Sequence, residues 1–278
     1  MERFADLHLH SNHSDGDWSP RRLVKAARRA GLCAVAVTDH DTVSGVAEAV
    51  AAGRDLGVEV VSGVEISALE DGIDLHILGY GIDPGAGELV EVLNRARDVR
   101  VDRARRMVER LAELGMPLSL DDVLASAGGG AVGRPHVAQA LRRAGHVQSE
   151  REAFDQWLGD GRPACIEKLR ISANRAIALL HEAGGVALAA HPGTYGGTEY
   201  LGPLLAVGLD GVEVAHSLHD EQMSAELEAF ADERGLLKAG GSDFHGPRAG
   251  GVDVGSVKIP YTWVEEIREG IRRRRESA

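Results

Sequence analysis

The sequence predicts a distorted (β/α)7 barrel with a helical insertion after the fourth strand, and three observations carry that expectation. Seven short apolar or alternating segments read as strands, near residues 3 to 10, 33 to 39, 58 to 65, 73 to 80, 186 to 191, 210 to 216 and 236 to 243. Most are separated by amphipathic helical patterns, the signature of parallel βαβ units. Between the fourth and fifth strands lie roughly a hundred residues without a convincing strand, far more than one crossover needs. A chain of 278 residues suits one barrel of ~250 residues carrying an insertion.

The first segment, "ADLHLH", alternates, so Asp6, His8 and His10 share one face and Leu7 and Leu9 the other. "SPRRLVKAARRAGL" then reads as a helix with Ser19 as N-cap, Pro20 at the first helical position and Gly31 as the stop. "LCAVAVTDHD" is a continuous apolar run that breaks off in Asp39, His40 and Asp41, and "VEVVSGVEIS" ends at Glu65. Only about seven residues separate that strand from "DLHILGYG". This is too short for a crossover helix, so a hairpin or irregular join is expected there, with the barrel distorted. A long charged helical pattern, "ELVEVLNRARDVRVDRARRMVERLAELG", opens the region without strands, followed by "GRPHVAQALRRAGH" and "SEREAFDQWLGDG". The insertion is placed at 97–170, leaving 1–96 and 171–278 to form the barrel. "SANRAIALLHEAGG" resumes the barrel with a Ser cap and a stop at Gly184, and "GVALAAHPG", "DGVEVAHS" and "LKAGGSDFHG" supply the last three strands. The "RRRRES" tail reads as a solvated, frayed end.

The formal net charge of −12 argues against wrapping long duplex DNA, which needs a basic surface. It leaves room for a small anionic substrate if bound cations reverse the sign of a pocket. Two distant cysteines, Cys33 and Cys165, give no disulfide framework and point to a reducing cytoplasm. No run approaches the ~20 apolar residues of a membrane span, and "MERFADLHLH" lacks a signal-peptide apolar region. The chain is expected to be cytoplasmic and unprocessed, with no membrane partner.

Strand periodicity sets His8 and His10 roughly 7 Å apart at their bases, close enough for both rings to lean toward one cation. A buried strand face bearing Asp, His and His is costly unless each polar group has a hydrogen bond or a metal. The other strands repeat the pattern: Asp39, His40 and Asp41 on the second, Glu65 on the third, His76 on the fourth, His191 on the fifth, His216 on the sixth, Asp243 and His245 on the seventh. In α/β barrels the C-terminal strand ends surround one mouth, so these residues converge. Imidazole and carboxylate ligands suit zinc, manganese or iron, and there are more of them than one ion could use.

The motifs "DLHLHS", "TDHD", "GVE", "HILGYG", "AAHPG" and "GSDFH" resemble, in order, those of the PHP family, named for polymerase and histidinol phosphatase. With its insertion after the fourth strand, the chain looks closest to the stand-alone metal-dependent phosphoesterases of that family. The resemblance implies activity on a 3′,5′-nucleoside bisphosphate or on the 5′ end of short RNA. It also implies a trinuclear centre, one cation on His8, His10, Glu65 and Asp243, a second sharing Glu65 and taking His76 and His191, a third on Asp15, His40 and His245. Manganese is the expected ion, with zinc or iron as alternatives. A carboxylate such as Glu65 can bridge two cations ~3.5 to 4 Å apart, a spacing that holds a hydroxide for in-line attack on phosphorus.

Around these ligands, Asp6 is expected to orient a histidine through its free ring nitrogen, with Asp39 in a similar supporting position. His216 is assigned to protonation of the leaving oxygen or a hydrogen bond to phosphate, completing a catalytic set with Glu65 and Asp15. The insertion offers Arg134 and His136 in "GRPH" and Arg162 and Lys168 in "GRPACIEK" as cradle for a phosphate that is not cleaved; as surface charges on a helical lid they would do nothing of the kind. His13 and Asp17 are read as exposed bystanders. The expected partner is a small phosphorylated nucleotide or a short 5′-phosphorylated oligonucleotide. Competing readings are a histidinol-phosphate phosphatase, an amidohydrolase, and a metal-binding regulatory module without catalysis.

Overall fold

The computed structural model describes residues 2–128, 130–166, 171–247 and 252–277. Strand β1 (Phe4–Asp6) leads through a long loop into α1 (Pro20–Arg29), whose first turn is capped by the Ser19 side chain; β2 (Ala34–Val37), α2 (Val46–Leu56) and β3 (Glu59–Glu70) follow. β4 (Ile73–Tyr80) precedes α3 (Gly87–Glu113), α4 (Leu120–Ser126), α5 (Arg134–Arg143) and α6 (Glu150–Ala153), the last continued by a π-helical turn at Phe154–Leu158. After the two-residue β5 (Ile171–Ser172) come α7 (Ala173–Glu182), β6 (Val186–Ala189), α8 (Leu201–Ala206), β7 (Gly211–His216), α9 (Glu221–Arg234), β8 (Leu237–Gly241), β9 (Ile259–Pro260) and α10 (Tyr261–Ser277).

The sheet runs β8-β7-β6-β4-β3-β2-β1-β9, with β5 added to β3. It curls until β1 meets β8: Leu7 N–H donates to Gly240 O, Asp243 N–H to His8 O and His10 N–H to Phe244 O. This seam needs glycine, because a Cβ on Gly241 would stand 2.4 Å from the His8 nitrogen. The result is a nearly closed barrel. All seven expected strands are present, and β5 and β9 are short additions the sequence reading did not anticipate.

The expected hairpin is real and inverts one strand. Asp71 and Gly72, at φ 47° and 81°, turn the chain as tight two-residue hairpins require, and β3 and β4 then pair antiparallel from Glu70↔Ile73 to Gly63↔Tyr80. β3 therefore runs five residues past Glu65, beyond the expected end. β4 also pairs antiparallel with β6, so His76 reaches the mouth from within its strand and not from a C-terminal end.

Three apolar clusters are found among the described residues, the smallest packing Leu9, Val35 and Phe244 under α1 and α2; the other two are larger. The barrel core gathers Leu7, Ile66, Ile77, Tyr80, Leu180 and Leu188, and includes Leu89 and Leu93 from the first half of α3. A separate cluster gathers Met107 and Leu111 from the second half of α3 with Val123, Val137, Leu141 and Leu158. α3 starts at Gly87, ten residues ahead of position 97, because its first turns still bury Leu89 and Leu93 on the barrel. No helix among the described residues is long and apolar enough to cross a membrane.

The expectation of a frayed "RRRRES" end is corrected. α10 continues to Ser277, and Arg275 donates to the carbonyls of Gly184 and Gly81. Arg274 pairs with Asp210, which also accepts from Ala187 N–H and faces His181 Nε2 at 2.8 Å. Asp210 thus ties β6, α7 and α10 to the base of the barrel. Burial opposes its ionisation, but the His181 and Ala187 bonds and Arg274 hold its pKa below the ordinary 3.8. Such a depressed carboxylate stabilises the fold at pH above the unfolded value, and that contribution fades as pH falls through the folded value. Asp210→Ala is expected to cost about 2–3 kcal/mol at neutral pH. In denaturant melts at several pH values, the gap between wild type and variant should narrow below pH 3.8; a constant gap would refute the ionic part of the role.

Candidate metal centre

The seam between β1 and β8 positions the first ligands. His8 and His10 follow β1 and are fully buried, as is Glu65 on β3. Their ring nitrogens converge on two carboxylates: His8 Nε2 lies 3.3 Å from Glu65 Oε2 and 3.3 Å from Asp243 Oδ1, and His10 Nε2 lies 3.2 and 3.0 Å from the same two atoms. The other Glu65 oxygen, Oε1, meets His76 Nδ1 at 2.8 Å and His191 Nε2 at 3.0 Å. His40 Nδ1 closes on Oε2 at 2.9 Å. One buried carboxylate is thus ringed by five imidazoles.

Asp15 forms a further corner. Its Oδ1 is 3.4 Å from His245 Nε2 and its Oδ2 is 4.0 Å from His40 Nε2. His245 is oriented by its Nδ1–H, which donates to the carbonyl of Asp243 and turns Nε2 toward Asp15. His10, Asp15, His40 and His245 offer atoms all within 4.8 Å of one another, as do His8, His10 and Asp243, and His40, Glu65 and His76.

These atoms fit cations better than they fit each other. His8 Nε2, His10 Nε2, His40 Nδ1, Asp15 Oδ1, Glu65 Oε2 and Asp243 Oδ1 are buried without a hydrogen-bonding partner. Buried polar atoms rarely remain so unless something else satisfies them. Charge tells the same story. Burial pulls His8 down, but Glu213, Asp243 and Glu65 raise its pKa well above normal, and His245 rises to about 10 against burial because of Asp15 and Asp243. Burial would raise the pKa of Glu65, yet His40, His76 and His8 hold it well below the usual carboxylate value. Burial drives His76 down to about 4. The cluster demands positive charge, and protons supply it where divalent ions could.

Strain concentrates here. Of the non-glycine residues with positive φ among those described, Asp41 (51°), His191 (31°) and Asp243 (53°) all sit at this mouth. Such conformations cost of order 1–3 kcal/mol each and persist only where the surroundings impose them.

Several expected roles change. Asp6 does not touch a ring nitrogen: it accepts from Ser242 N–H and Oγ–H and from Gly255 N–H, fastening the segment that carries Asp243. It is Glu213, unnoticed in the sequence reading, that meets His8 Nδ1 at 2.9 Å and also accepts His191 N–H. A fully buried Glu in "DGVEVAHS" was the available signal, since an unpaired charge inside a strand is expensive. Asp39 likewise contacts no imidazole; it accepts from Ser11 N–H, Ser11 Oγ–H and Ser14 Oγ–H, shaping the loop that presents Asp15. His13 is half-buried and bonded to Ser44 rather than free, and Asp17 N–H donates to His245 O.

His216 is buried, with Nδ1 accepting from Leu218 N–H at 3.1 Å. A neutral ring so bonded carries its proton on Nε2, which lies 3.3 Å from Asp243 Oδ2. Like the ligand atoms above, that nitrogen has no hydrogen-bonding partner, and His8, Glu213 and His216 form a further group able to hold a metal ion.

The insertion residues fare differently. Arg134 pairs with Asp160 at 2.7 Å. His136 is buried, its Nδ1 accepting from Gly133 N–H to cap α5. Arg162 is exposed, and Lys168 lies outside the described residues. The cation that reaches the mouth is one the sequence reading passed over, Arg100 of α3, bonded to Asp41 Oδ2 through Nε at 2.9 Å and to Ser67 Oγ.

This constellation defines the class: a metal-dependent hydrolase built on an α/β barrel. Comparison with known proteins gives the same answer. The family model for the PHP domain matches residues 6–98. The chain is 35% identical over 260 residues to a 5′-3′ exoribonuclease of Haemophilus influenzae, covering 92% of this chain and 94% of that one. It is also 35% identical over 259 residues to a 3′,5′-nucleoside bisphosphate phosphatase of Chromobacterium violaceum, covering 91% of each. A proposed metal-dependent phosphoesterase from Bifidobacterium adolescentis superposes with a TM-score of 0.86 at 34% identity, over 95% of this chain and 94% of that structure. The protein belongs to the PHP family. It is a metal-dependent phosphoesterase, and the reading as a metal-binding module without catalysis falls away.

Glu213→Gln tests the support given to His8. The amide can still accept from one neighbour but loses the charge that fixes the Nδ1 proton. Metal retention is expected to fall about 10–100-fold, read as metal content after equilibrium dialysis, with the circular dichroism spectrum preserved. Unchanged retention would remove Glu213 from the centre.

Proposed function

We propose that the protein is a phosphoesterase that hydrolyses a phosphomonoester of a 3′,5′-nucleoside bisphosphate or trims the 5′ end of a short RNA. The observation that carries this reading is Glu65, a buried carboxylate whose two oxygens face separate sets of imidazoles. Such an arrangement seats two cations on either side of one bridging group, as in-line displacement at phosphorus requires. The relatives that match over nine-tenths of the chain are named a 5′-3′ exoribonuclease and a 3′,5′-nucleoside bisphosphate phosphatase, and that supports the substrate class.

In this reading His8, His10, Glu65 and Asp243 hold one divalent cation, Glu65, His76 and His191 a second, and Asp15, His40 and His245 a third, manganese before zinc or iron. Bound there, the ions would supply Lewis acidity at the phosphoryl oxygens and lower the pKa of a coordinated water. Glu213 and the Asp243 carbonyl fix His8 and His245 in the tautomers that present Nε2 lone pairs. His216 holds a proton on Nε2 for the leaving oxygen. Arg100, paired with Asp41 and bonded to Ser67, braces the mouth beside the ligands. The segment 97–170 acts as a lid, a role supported by the bond from Ala131 N–H to His13 O, which joins it to the loop carrying Asp15. With Arg134 held by Asp160 and His136 used as a cap, these two serve the lid's own structure, while Arg162 stays available to substrate. Cys33 and Cys165 are free thiols, in keeping with a cytoplasmic setting.

The test is a panel of nucleoside 3′,5′-bisphosphates, 5′-phosphorylated oligoribonucleotides and histidinol phosphate, assayed with metal content measured on the same preparation. Turnover confined to histidinol phosphate, or absent with metals bound, would sink the proposal. Asp15→Asn is expected to lower kcat at least about 10-fold while leaving the melting temperature of the metal-free protein within a few degrees; unchanged turnover would remove Asp15 from the site.

A further inference from the structure

An acidic protein carries one element of opposite sign. α1 holds Arg21, Arg22, Lys25, Arg28 and Arg29 within ten residues and no carboxylate, in a chain of net charge −12. Two of these cations are engaged with α2 and its end, Arg21 with Asp55 and Arg28 with the carbonyl of Leu56. The other three, Arg22, Lys25 and Arg29, repeat at helical spacing and share one exposed stripe. No acidic partner meets them among the described residues. Together with Trp18 they line a cleft of about 440 Å³.

The stripe starts outside the rim of the mouth, where Trp18 and Phe244 share the apolar layer beneath α1. Trp18 packs on Phe244, ring centroids 4.7 Å apart, and Phe244 lies between Asp243 and His245. The Trp18 carbonyl accepts from Asn12 N–H in the loop that presents Asp15. The Arg22 guanidinium lies over the Trp18 ring at 4.1 Å, so its outward plane is offered to whatever enters the cleft. From there α1 runs about 15 Å away from the mouth, a length comparable to a few extended nucleotides.

We infer that the α1 face, with Trp18, Arg22, Lys25 and Arg29, is a binding track for single-stranded RNA downstream of the nucleotide in the metal mouth. A line of cations tracks a phosphate backbone, and a guanidinium stacked on an aromatic ring offers a platform for a base irrespective of sequence. Divalent ions account for attraction at the mouth; a second basic strip leading away from it serves only a substrate longer than one nucleotide. The inference rests on the nucleotide phosphoesterase reading above and extends it toward oligonucleotides.

The experiment compares wild type with the triple variant R22Q/K25Q/R29Q, both loaded with metal. kcat/KM is measured on a nucleoside 3′,5′-bisphosphate and on 5′-phosphorylated oligoribonucleotides of two to eight residues, and binding of a 3′-fluorescein octamer is followed by anisotropy across a salt series. In the wild type kcat/KM is expected to rise with length and level off. The variant should lose that rise, with at least about a 10-fold drop on the octamer, no more than a twofold change on the bisphosphate, and a salt slope shallower by about 2, the loss of three phosphate contacts at ~0.7 each. If the bisphosphate is hydrolysed but length has no effect and the variant matches wild type, the track is refuted while the phosphatase reading stands. An equal fall on both substrates also refutes it, since that marks a general field effect. If no nucleotide is turned over by wild type, the functional reading fails first and the track with it.

Discussion

The structure depends on placing one ionised carboxylate, Glu65, where water cannot reach it. A buried carboxylate is tolerable only if its surroundings return what desolvation takes away. Here five imidazoles from β1, β2, β4 and β6 or the loops that follow them close on its two oxygens at 2.8 to 3.3 Å. Each of those strands must therefore bring its histidine to the same height, β4 doing so from its middle because it runs antiparallel. The closed curvature of the sheet, the glycines at the β1–β8 seam and the left-handed backbone at His191, Asp41 and Asp243 all serve that convergence.

The support for the ligands is itself ionic and buried, arranged as anchors on backbone rather than as ring-to-ring contacts. Asp6 grips Ser242 and Gly255, Asp39 grips Ser11 and Ser14, and Asp41 accepts Ser67 N–H while holding Arg100. Each fastens a loop at the mouth to a neighbouring strand. Of these supporting carboxylates, Glu213 alone acts directly on a ligand imidazole, while the Asp243 carbonyl and Thr194 Oγ meet the rings of His245 and His191. Asp41 also joins the mouth to α3, a helix whose first half is packed on the barrel and whose second half belongs to a separate apolar cluster. A change in the far cluster can thus reach the mouth through a single rigid helix.

Much of this was legible in the sequence because strand and helix periods place side chains on faces, and because polar residues at the ends of apolar runs are conspicuous. The pairing of His8 with His10, the caps at Ser19 and Ser172 and the inverted join before β4 follow from such patterns. Two kinds of feature were not legible. Glu213 lies inside a strand, where neighbouring valines mask it, and its partner is 205 positions away. Arg100 sits among many arginines on a charged helix, and only the fold shows which of them turns inward. The docked end of α10 was misread for a similar reason: a run of four arginines looks solvated until the carbonyls of Gly81 and Gly184 are brought beneath it.

The β1–β8 seam joins residues some 230 positions apart, and that has a bearing on synthesis at the ribosome. His8 and His10 emerge first, but Asp243 and His245 only near the end, and α10, which locks the base through Arg275, later still. A nascent chain long enough to form β1 to β4 would already carry His8, His10, His40, Glu65 and His76, but without the seam that gives them their final geometry. The full ligand set therefore exists only once synthesis has passed His245.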